Sequence, residues 1–326
     1  MGKTIVALTH GRDLDGIASA AIIYRFSKIR NYKCKLYFSE PYNLSENLEK
    51  ILLFEKAFDE LIIADIGLNR EISSVIVDLL RKVKERNVLI KWFDHHIWDD
   101  DLVESIRKIV DLLKVDSRFC AAELVQINLL PRDSIARRIA LLARDMDFWL
   151  KKDELSVKIS KIIRSGNVSK NEIIEKLSEG IFWDKGFQEI YDKLSVFEKE
   201  IIERALKNTE TYHIKKLKVA FVKGKAPAGL IADTLAEKNY DIIVVISPTG
   251  KISLRRGKES INLVPIAKKL GGGGHPYAAG AMLNYNAIDR FLAKFFGIFR
   301  KKDKILKVIE ETIVAKGEDD GSNTCN

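Results

Sequence analysis

Residues 4–20, TIVALTHGRDLDGIASA, decide the fold class of this chain. An apolar run rich in β-branched residues ends near His10, and a helical pattern begins a few residues later. Further apolar runs, each separated from the next by a helical pattern, lie at 35–38, 61–66 and 88–93. Strands that alternate with helices form βαβ units, so we expect an α/β domain built on a mostly parallel sheet.

The length of 326 residues favours two domains rather than one. Residues 101–181 have an almost entirely helical pattern, 187–211 resemble one long amphipathic helix, and a second set of strands and helices follows. The organisation that we predict is an N-terminal parallel-sheet domain at 1–185, a helical connector at 186–212, a smaller C-terminal α/β domain at 213–316 and a flexible tail at 317–326.

Composition excludes several classes of protein. Three scattered cysteines, Cys34, Cys120 and Cys325, have no CxxC spacing, which excludes a zinc knuckle and argues against a disulfide framework. No apolar run reaches the roughly 18 residues of a membrane span. The N-terminus continues into charged residues and is interpreted as a strand rather than a signal peptide, so we expect a cytoplasmic protein.

The positive charge is concentrated in one part of the chain. Residues 211–326 contain 20 Lys and Arg against 11 Asp and Glu, whereas residues 1–210 contain 35 of each. The whole net charge of +9 therefore belongs to the C-terminal third. A solubilising surface would explain it, but the asymmetry favours a domain that binds polyanions.

Carboxylates and histidines follow the ends of several predicted strands. They are His10, Asp13, Asp15, Asp65, Asp94, His95 and His96. Parallel α/β sheets bind ligands at the carboxyl edge of their strands, so these side chains should converge. So many carboxylates need a counter-charge, and a mixture of Asp and His without thiolates suits manganese, magnesium or cobalt. Two such cations would clamp a phosphoryl group and activate water.

These segments also resemble a known family. THGRDLDGIASA at 9–20, IIADIG at 62–67 and FDHH at 93–96 are similar to the first three motifs of the DHH phosphoesterases. That family includes RecJ-type nucleases, oligoribonucleases, cyclic-dinucleotide phosphodiesterases and family II inorganic pyrophosphatases. The resemblance implies that the N-terminal domain is a DHH catalytic domain. Two residues separate His10 from Asp13, where relatives commonly have one or three.

The resemblance implies a role for each matching residue. His10, Asp13 and Asp65 would hold one divalent metal ion. A second ion would be held by Asp15, Asp65, His95 and an aspartate of the fourth motif. For that motif, LLARDMDFW at 141–149, we choose Asp145, with Asp147 as the alternative.

Three more residues of this domain receive catalytic roles. By the resemblance, His96 faces the scissile phosphate, and Asp94 orients its neighbours without binding metal. Arg12 is interpreted as either a phosphate contact or a solvated loop residue. Manganese is the favoured cation, with magnesium and cobalt as alternatives.

A second motif, GGGGHPYAAGA, lies at 271–281. It resembles the GGGH-type motif of the DHHA1 substrate-binding domain, and KISLRRG at 251–257 resembles that domain's arginine-bearing strand. Four glycines allow backbone N–H groups to approach a phosphate closely, and we expect a helix to begin after them. This motif separates the chain from the pyrophosphatases. The substrate-binding residues that we predict are Arg255, Gly271, Gly272, Gly273, Gly274, His275 and Tyr277.

Arg255 is preferred over Arg256, because neighbouring residues of a strand face opposite sides. Tyr277 is the preferred base-stacking residue. Phe148 and Trp149 could also stack on bases, but an aromatic pair at that position more often indicates core packing, and Trp98 is left open between the two roles.

The motifs together predict a metal-dependent phosphodiesterase of the DHH/DHHA1 type. The interpretation that we favour is an exonuclease that degrades single-stranded DNA or RNA from an end, in the 3′→5′ direction, to nucleoside monophosphates, with a role in DNA repair. A helicase or another replication or repair protein is an expected partner. The alternatives are an oligoribonuclease or cyclic-dinucleotide phosphodiesterase, and an inactive replication or repair scaffold.

Overall fold

The structure of the chain is a computed structural model that describes residues 2–224, 227–258 and 260–319. It divides into two compact units, Met1–Lys193 and Leu194–Asn326. Within the described residues, no helix combines the length and the apolar character that crossing a membrane requires.

The N-terminal unit is built on a five-stranded sheet in the order β2-β1-β3-β4-β5. All of its strand pairs are parallel, as the sequence predicts. The strands are β1 (Thr4–His10), β2 (Lys33–Ser39), β3 (Glu60–Ala64), β4 (Leu89–Asp94) and β5 (Leu112–Val115). Strand β5 corrects the expectation that 101–181 is almost entirely helical. Its four residues form an edge strand, too short for a clear alternating pattern.

Helices cover both faces of this sheet, and each face buries its own apolar core. The helices are α1 (Leu14–Ile29), α2 (Leu44–Phe54), α3 (Ser73–Lys84), α4 (Asp100–Arg107), α5 (Ala121–Leu129), α6 (Ser134–Asp147), α7 (Glu154–Ser165), α8 (Lys170–Ser178) and α9 (Lys185–Lys207). Helices α5, α6 and α8 pack against α1 on one side, and α2 packs against α3 on the other.

The junction between β1 and α1 explains the spacing of the first motif. Asp13 caps α1 by accepting a hydrogen bond from the backbone N–H of Gly16. A Cβ atom at Gly16 would lie only 2.2 Å from the carbonyl oxygen of His10. Glycine is therefore required for the helix to begin this close to the end of the strand.

Helix α9 contains the residue at which the two units divide, and it ends earlier than the predicted connector at 186–212. The next strand, β6, already begins at Thr209. The other predicted domain boundaries stay predictions.

The C-terminal unit is built on a mixed six-stranded sheet in the order β10-β11-β9-β8-β7-β6. Among the strands of its described residues, only β7 and β8 pair in parallel. The strands are β6 (Thr209–Ile214), β7 (Leu217–Lys223), β8 (Ile242–Ile246), β9 (Lys251–Arg256), β10 (Gly273–His275) and β11 (Ala278–Met282), and the helices are α10 (Ala228–Glu237), α11 (Val264–Lys269), α12 (Ala287–Phe295) and α13 (Lys302–Asp319). The predicted α/β class of this unit is confirmed.

One local prediction in this unit is wrong. No helix begins after the four glycines, because β10 and β11 form a hairpin there. The predicted tail at 317–326 is helical at its start, since α13 continues to Asp319. The rest of that tail, 320–326, lies outside the described residues.

Candidate functional site

Side chains from three strand ends converge at the carboxyl edge of the N-terminal sheet. His10 ends β1, Asp65 follows β3, and Asp94 ends β4. Three groups of residues there have possible ligand atoms within 4.8 Å of one another. These groups are His10, Asp13 and Asp65; Asp15, His95 and Asp147; and Asp65, His95 and His96. We call their seven residues the carboxylate–histidine cluster.

Asp65 belongs to two of these groups and is almost completely buried. Its Oδ1 lies 3.4 Å from Nε2 of His95, and its Oδ2 lies 3.6 Å from Nδ1 of His10. Among the described residues, Oδ2 has no hydrogen-bond partner. A buried carboxylate oxygen without a donor is unfavourable, so this position fits a bound cation.

The backbone of Asp65 is strained as well. Its φ angle is +58°, in the left-handed region that residues other than glycine rarely adopt. Its N–H donates to the carbonyl oxygen of Phe93 over 3.0 Å, which holds the residue beside β4. Such strain is concentrated at functional sites, where the surrounding structure maintains it.

His10 is held between carboxylates on both sides. Its Nδ1 lies 2.8 Å from Oδ2 of Asp13, and its Nε2 lies 3.2 Å from Oε2 of Glu40. Glu40 follows β2 directly and was missed in the sequence, although it occupies the same strand-end position as the other acidic residues. A carboxylate on one ring nitrogen fixes the tautomer of a histidine and leaves the other nitrogen for a metal.

The N-terminus of α5 holds Asp15 in place. Both oxygens of its carboxylate accept hydrogen bonds of 2.8 Å, from the backbone N–H groups of Ala121 and Ala122. Burial, and then the charges of Asp65 and Asp147, raise the pKa of Asp15 well above its usual value. A nearby divalent cation would reverse that effect and keep the carboxylate ionised.

Asp94 orients two side chains and is fully buried. Its Oδ1 lies 2.8 Å from Nδ1 of His96, and its Oδ2 accepts from the indole N–H of Trp98 at 2.7 Å. These contacts are those that the predicted orienting role requires. They also place Trp98 in the core, edge-on to Trp92, so Trp98 is not exposed for base stacking.

Within the fourth motif, the structure brings Asp147 rather than Asp145 to the cluster. Asp145 accepts hydrogen bonds from the backbone of Lys152 and Asp153 and from Oγ of Ser156, and it is absent from the three groups found among the described residues. Oδ2 of Asp147 lies 3.4 Å from Nδ1 of His95. Residues two apart on a helix point in different directions, so only one of the two reaches the cluster.

Protons are drawn to the cluster by its negative charge. Burial alone would lower the pKa of His10, but its hydrogen bond with Asp13 and the charges of Asp13 and Asp65 raise the pKa to about 11. Burial likewise opposes a rise at His95, where Asp65, Asp15 and Asp147 raise the pKa to about 9. Burial raises the pKa of Asp147. A divalent cation would supply the positive charge that these protons now provide.

A cavity of about 550 Å³ opens beside the cluster. Its lining residues are Pro41, Gly67, Leu68, Asn69, His95, His96, Ile97, Trp98, Ser117, Asp147 and Phe148. Phe148 therefore borders the cavity, and Trp149 is exposed. Arg12 is also largely exposed, and its Nε lies 3.0 Å from Glu40. Arg12 therefore contacts Glu40, the residue that pairs with His10, while most of its side chain stays accessible to solvent.

The predicted phosphate-binding glycines lie in the C-terminal unit, at the β10–β11 hairpin. Gly271 and Gly274 have φ angles of +80° and +138°, which favour glycine. A Cβ atom at Gly272 would lie 2.0 Å from the carbonyl oxygen of Gly280, whereas at Gly273 it would meet no described atom within 4 Å. The hairpin thus needs glycine at three positions for its own structure and leaves Gly273 open.

Two further predicted residues share one face of this sheet. His275 pairs with Ala278, and Ala278 pairs with Arg255, so their side chains project on the same side. The half-buried Arg255 donates to the carbonyl oxygen of Leu254, and burial lowers its pKa. The ring of Tyr277 stacks on that of His275, with centroids 5.5 Å apart.

Comparisons with known proteins identify the fold. Residues 215–301 match the family model of the DHHA1 domain. The chain is similar to RecJ from Thermus thermophilus in complex with Mn²⁺, with 15% identity, a TM-score of 0.53, 95% of this chain covered and 52% of that one. The complex of the same protein with Mg²⁺ gives 15% identity, a TM-score of 0.52 and coverage of 95% and 50%. This chain therefore spans about half the length of that RecJ.

CDC45 from Entamoeba histolytica has a similar structure, with 8% identity, a TM-score of 0.53 and 95% of both chains covered. No curated protein matches the sequence at a significant level. The DHHA1 match and the RecJ-like fold confirm the resemblance to DHH/DHHA1 proteins that the motifs indicate.

Proposed function

We propose that this chain, a DHHA1-domain protein with the RecJ fold, is a divalent-metal-dependent phosphodiesterase that degrades single-stranded nucleic acid from an end. The observation that carries the proposal is the carboxylate–histidine cluster around Asp65, whose buried Oδ2 has no hydrogen-bond donor among the described residues. Carboxylates and imidazoles in this proportion suit manganese, magnesium or cobalt.

The metal ligands are proposed as two sets that share Asp65. His10 and Asp13 complete one set, and Asp15, His95 and Asp147 complete the other. Divalent cations held there would offset the charge of the phosphodiester and activate a water molecule for attack on phosphorus.

The other residues of the N-terminal unit bind and orient the substrate. His96 offers its Nε2 to a phosphate oxygen, because Nδ1 is engaged by Asp94. Asp94 thereby fixes the direction in which the ring points. The exposed guanidinium of Arg12 is available for a second phosphate contact.

The hairpin of the C-terminal unit is proposed to hold the nucleotide. The backbone at Gly271–Gly274 lets a phosphate approach closely, His275 and Arg255 contribute donors from one face, and Tyr277 offers a ring to a base. The net charge of +9, all of it within 211–326, supports a polyanionic strand over a single small ester.

The products and the direction of cleavage are also part of the proposal. We assign the products as nucleoside monophosphates and the direction as 3′→5′. The small-substrate alternative, an oligoribonuclease or cyclic-dinucleotide phosphodiesterase, uses the same cluster. The scaffold alternative gives no reason to retain an intact cluster with a strained, buried Asp65.

The test is hydrolysis of three labelled substrates: a DNA single strand, an RNA dinucleotide and a cyclic dinucleotide. We expect cleavage of the single strand with Mn²⁺, none after chelation, and none by Asp65→Asn. Strands blocked at the 3′ or the 5′ end report polarity, and the 3′ block should protect. Cleavage of the dinucleotides alone would replace the proposal with its small-substrate alternative. If the metal-loaded protein hydrolyses none of the three substrates, the scaffold alternative is the one that remains.

A further inference from the structure

Helix α12 has a second apolar face that its own core does not use. Ala293 packs into the core of the C-terminal unit. Ile288, Phe291 and Phe295 are exposed, and their spacing of three and four residues places them in one stripe. Phe291 and Phe295 expose 54% and 63% of their surface, and the adjacent Phe296 exposes 64%. Side chains this large rarely lie together in solvent without a binding role.

The three phenylalanine rings form one continuous surface. The ring centroid of Phe291 lies 5.0 Å from that of Phe295 and 5.9 Å from that of Phe296. We call these three residues, with Ile288, the α12 aromatic platform. Neighbouring rings that present π-faces are what unpaired bases stack on.

The charge around the platform is positive. Arg290 and Lys294 are exposed on the same helix, and Nζ of Lys294 lies 5.1 Å from the ring centroid of Phe295. The one carboxylate of α12, Asp289, is buried and interacts with the start of its own helix and with Arg300. The exposed surface of this helix therefore carries cations and no anion.

We propose that the α12 aromatic platform binds single-stranded nucleic acid, by stacking bases on its rings and pairing phosphates with Arg290 and Lys294. This inference rests on the proposed function and assigns that function a second contact, separate from the glycine hairpin. The occupant is a single strand because bases in a duplex are already stacked on each other. A second copy of the chain is disfavoured, since its own Arg290 and Lys294 would face the first pair.

The experiment separates stacking from general apolar contact. Phe291→Leu/Phe295→Leu keeps an apolar surface but removes two of the three rings, whereas Phe291→Trp/Phe295→Trp keeps an aromatic ring at both positions. Phe54→Leu is the matched control, since Phe54 is also exposed (66%) but lies on α2 of the N-terminal unit. Thermal unfolding of each variant checks the fold. Binding is measured in EDTA with a labelled single strand of about 20 nucleotides, long enough to pass several contacts.

We expect the leucine variant to lose about tenfold or more in affinity for the strand, and the tryptophan variant and the control to match the native protein. Arg290→Ala/Lys294→Ala should make binding less dependent on salt. The slope of log affinity against log salt concentration should correspond to about two fewer released counterions. Hydrolysis of an RNA dinucleotide with Mn²⁺ should be unchanged in the leucine variant, because a dinucleotide is too short to need a second contact.

Two outcomes would overturn the proposal differently. If the native protein binds and cleaves single strands but the leucine variant binds them equally well, only the platform is wrong. A change in solution mass in the leucine variant would then assign this face to protein association. If the native protein neither binds nor cleaves any single strand, the platform falls together with the proposed function.

Discussion

The two units expose their polar groups in opposite ways. In the N-terminal unit, the buried Asp15 and Asp94 and the half-buried His10 are each fixed by a hydrogen bond: Asp15 by the N-terminus of α5, His10 by Glu40, and Asp94 by Trp98. In the C-terminal hairpin, the glycines at 271, 273 and 274 are exposed, and the backbone itself is the accessible surface. Metal ions require charges in fixed positions, whereas phosphate requires close approach to N–H groups.

This difference predicts how substitutions should act. A change in the cluster should affect metal content first and substrate only as a consequence. A change in the hairpin should affect substrate and leave the metal content unchanged. Any variant that reverses this pattern would break the division between the units.

The largest effect is expected for Asp65→Asn. Asparagine tolerates a positive φ and keeps the size of the side chain, so the fold should survive while the shared negative charge is lost. Activity should fall by about 10³-fold or more, the scale seen when a residue on which a whole catalytic unit depends is removed. Metal analysis should show loss of bound ions, and circular dichroism should be unchanged. Full activity with metal present would disprove the two-metal assignment.

The next effect distinguishes Asp147 from Asp145. Asp147→Asn should reduce metal content and lower activity by about 10²-fold with little change in unfolding temperature. Asp145→Asn should keep its metals and lose about 1–3 kcal/mol of stability, because its amide cannot accept all the hydrogen bonds of the carboxylate. Metal analysis and denaturant unfolding of both variants test this. The opposite pattern would restore Asp145 as the ligand.

The stability loss of Asp145→Asn should depend on pH with a defined sign. Burial raises the pKa of Asp145, but hydrogen bonds from Ser156 and from the backbone of Lys152 and Asp153 outweigh it and lower the pKa. The stabilisation is thus complete above about pH 4 and disappears as the pH falls through the lowered value. Unfolding curves of the variant and the native protein should converge in acid.

Periodicity and strand-end positions predicted much of this molecule. The four apolar runs that begin at 4, 35, 61 and 88 overlap β1 to β4. The signal is strongest for β1 and β3, because strands buried on both faces of a parallel sheet have nearly continuous apolar sequences. The same logic brought His10, Asp65 and His95 to one edge. The short strand β5 and the glycine hairpin escaped it, since four residues give no clear period and four glycines give no side-chain pattern.

The fourth motif shows what sequence alone could not decide. Asp145 and Asp147 lie in the same helical turn. Only the packing of the loop after α6 determines which carboxylate accepts hydrogen bonds from that loop and which one is left to face the cluster. Glu40 was missed for a related reason. It lies at the N-cap position of a 3₁₀ turn, where a polar residue has a structural explanation that needs no functional site.

A smaller effect is expected for Glu40→Gln. Glu40 does not belong to the three groups but accepts from Nε2 of His10, so its removal should loosen the ring and weaken metal binding by about 10–100-fold. Calorimetric titration with Mn²⁺ measures this without relying on activity. Glu46→Gln, an exposed acid on α2, is the matched control and should bind normally. Equal affinity in all three proteins would show that His10 needs no such support.

The smallest effect, and the sharpest test of the division between the units, is expected at Gly273. A Cβ atom there meets no described atom within 4 Å, so Gly273→Val should fold normally. Its side chain would occupy the space through which a phosphate approaches, and KM should rise by about tenfold, equivalent to about 1.4 kcal/mol of lost binding.

Gly272→Val is the contrasting variant, because a Cβ there lies 2.0 Å from the carbonyl oxygen of Gly280 and must distort the hairpin. Both should retain the metal content of the native protein, and only Gly272→Val should unfold at a lower temperature. If Gly273→Val loses its metals while remaining folded, the hairpin contributes to the metal site. If Gly273→Val has the metal content and the KM of the native protein, the phosphate binds elsewhere.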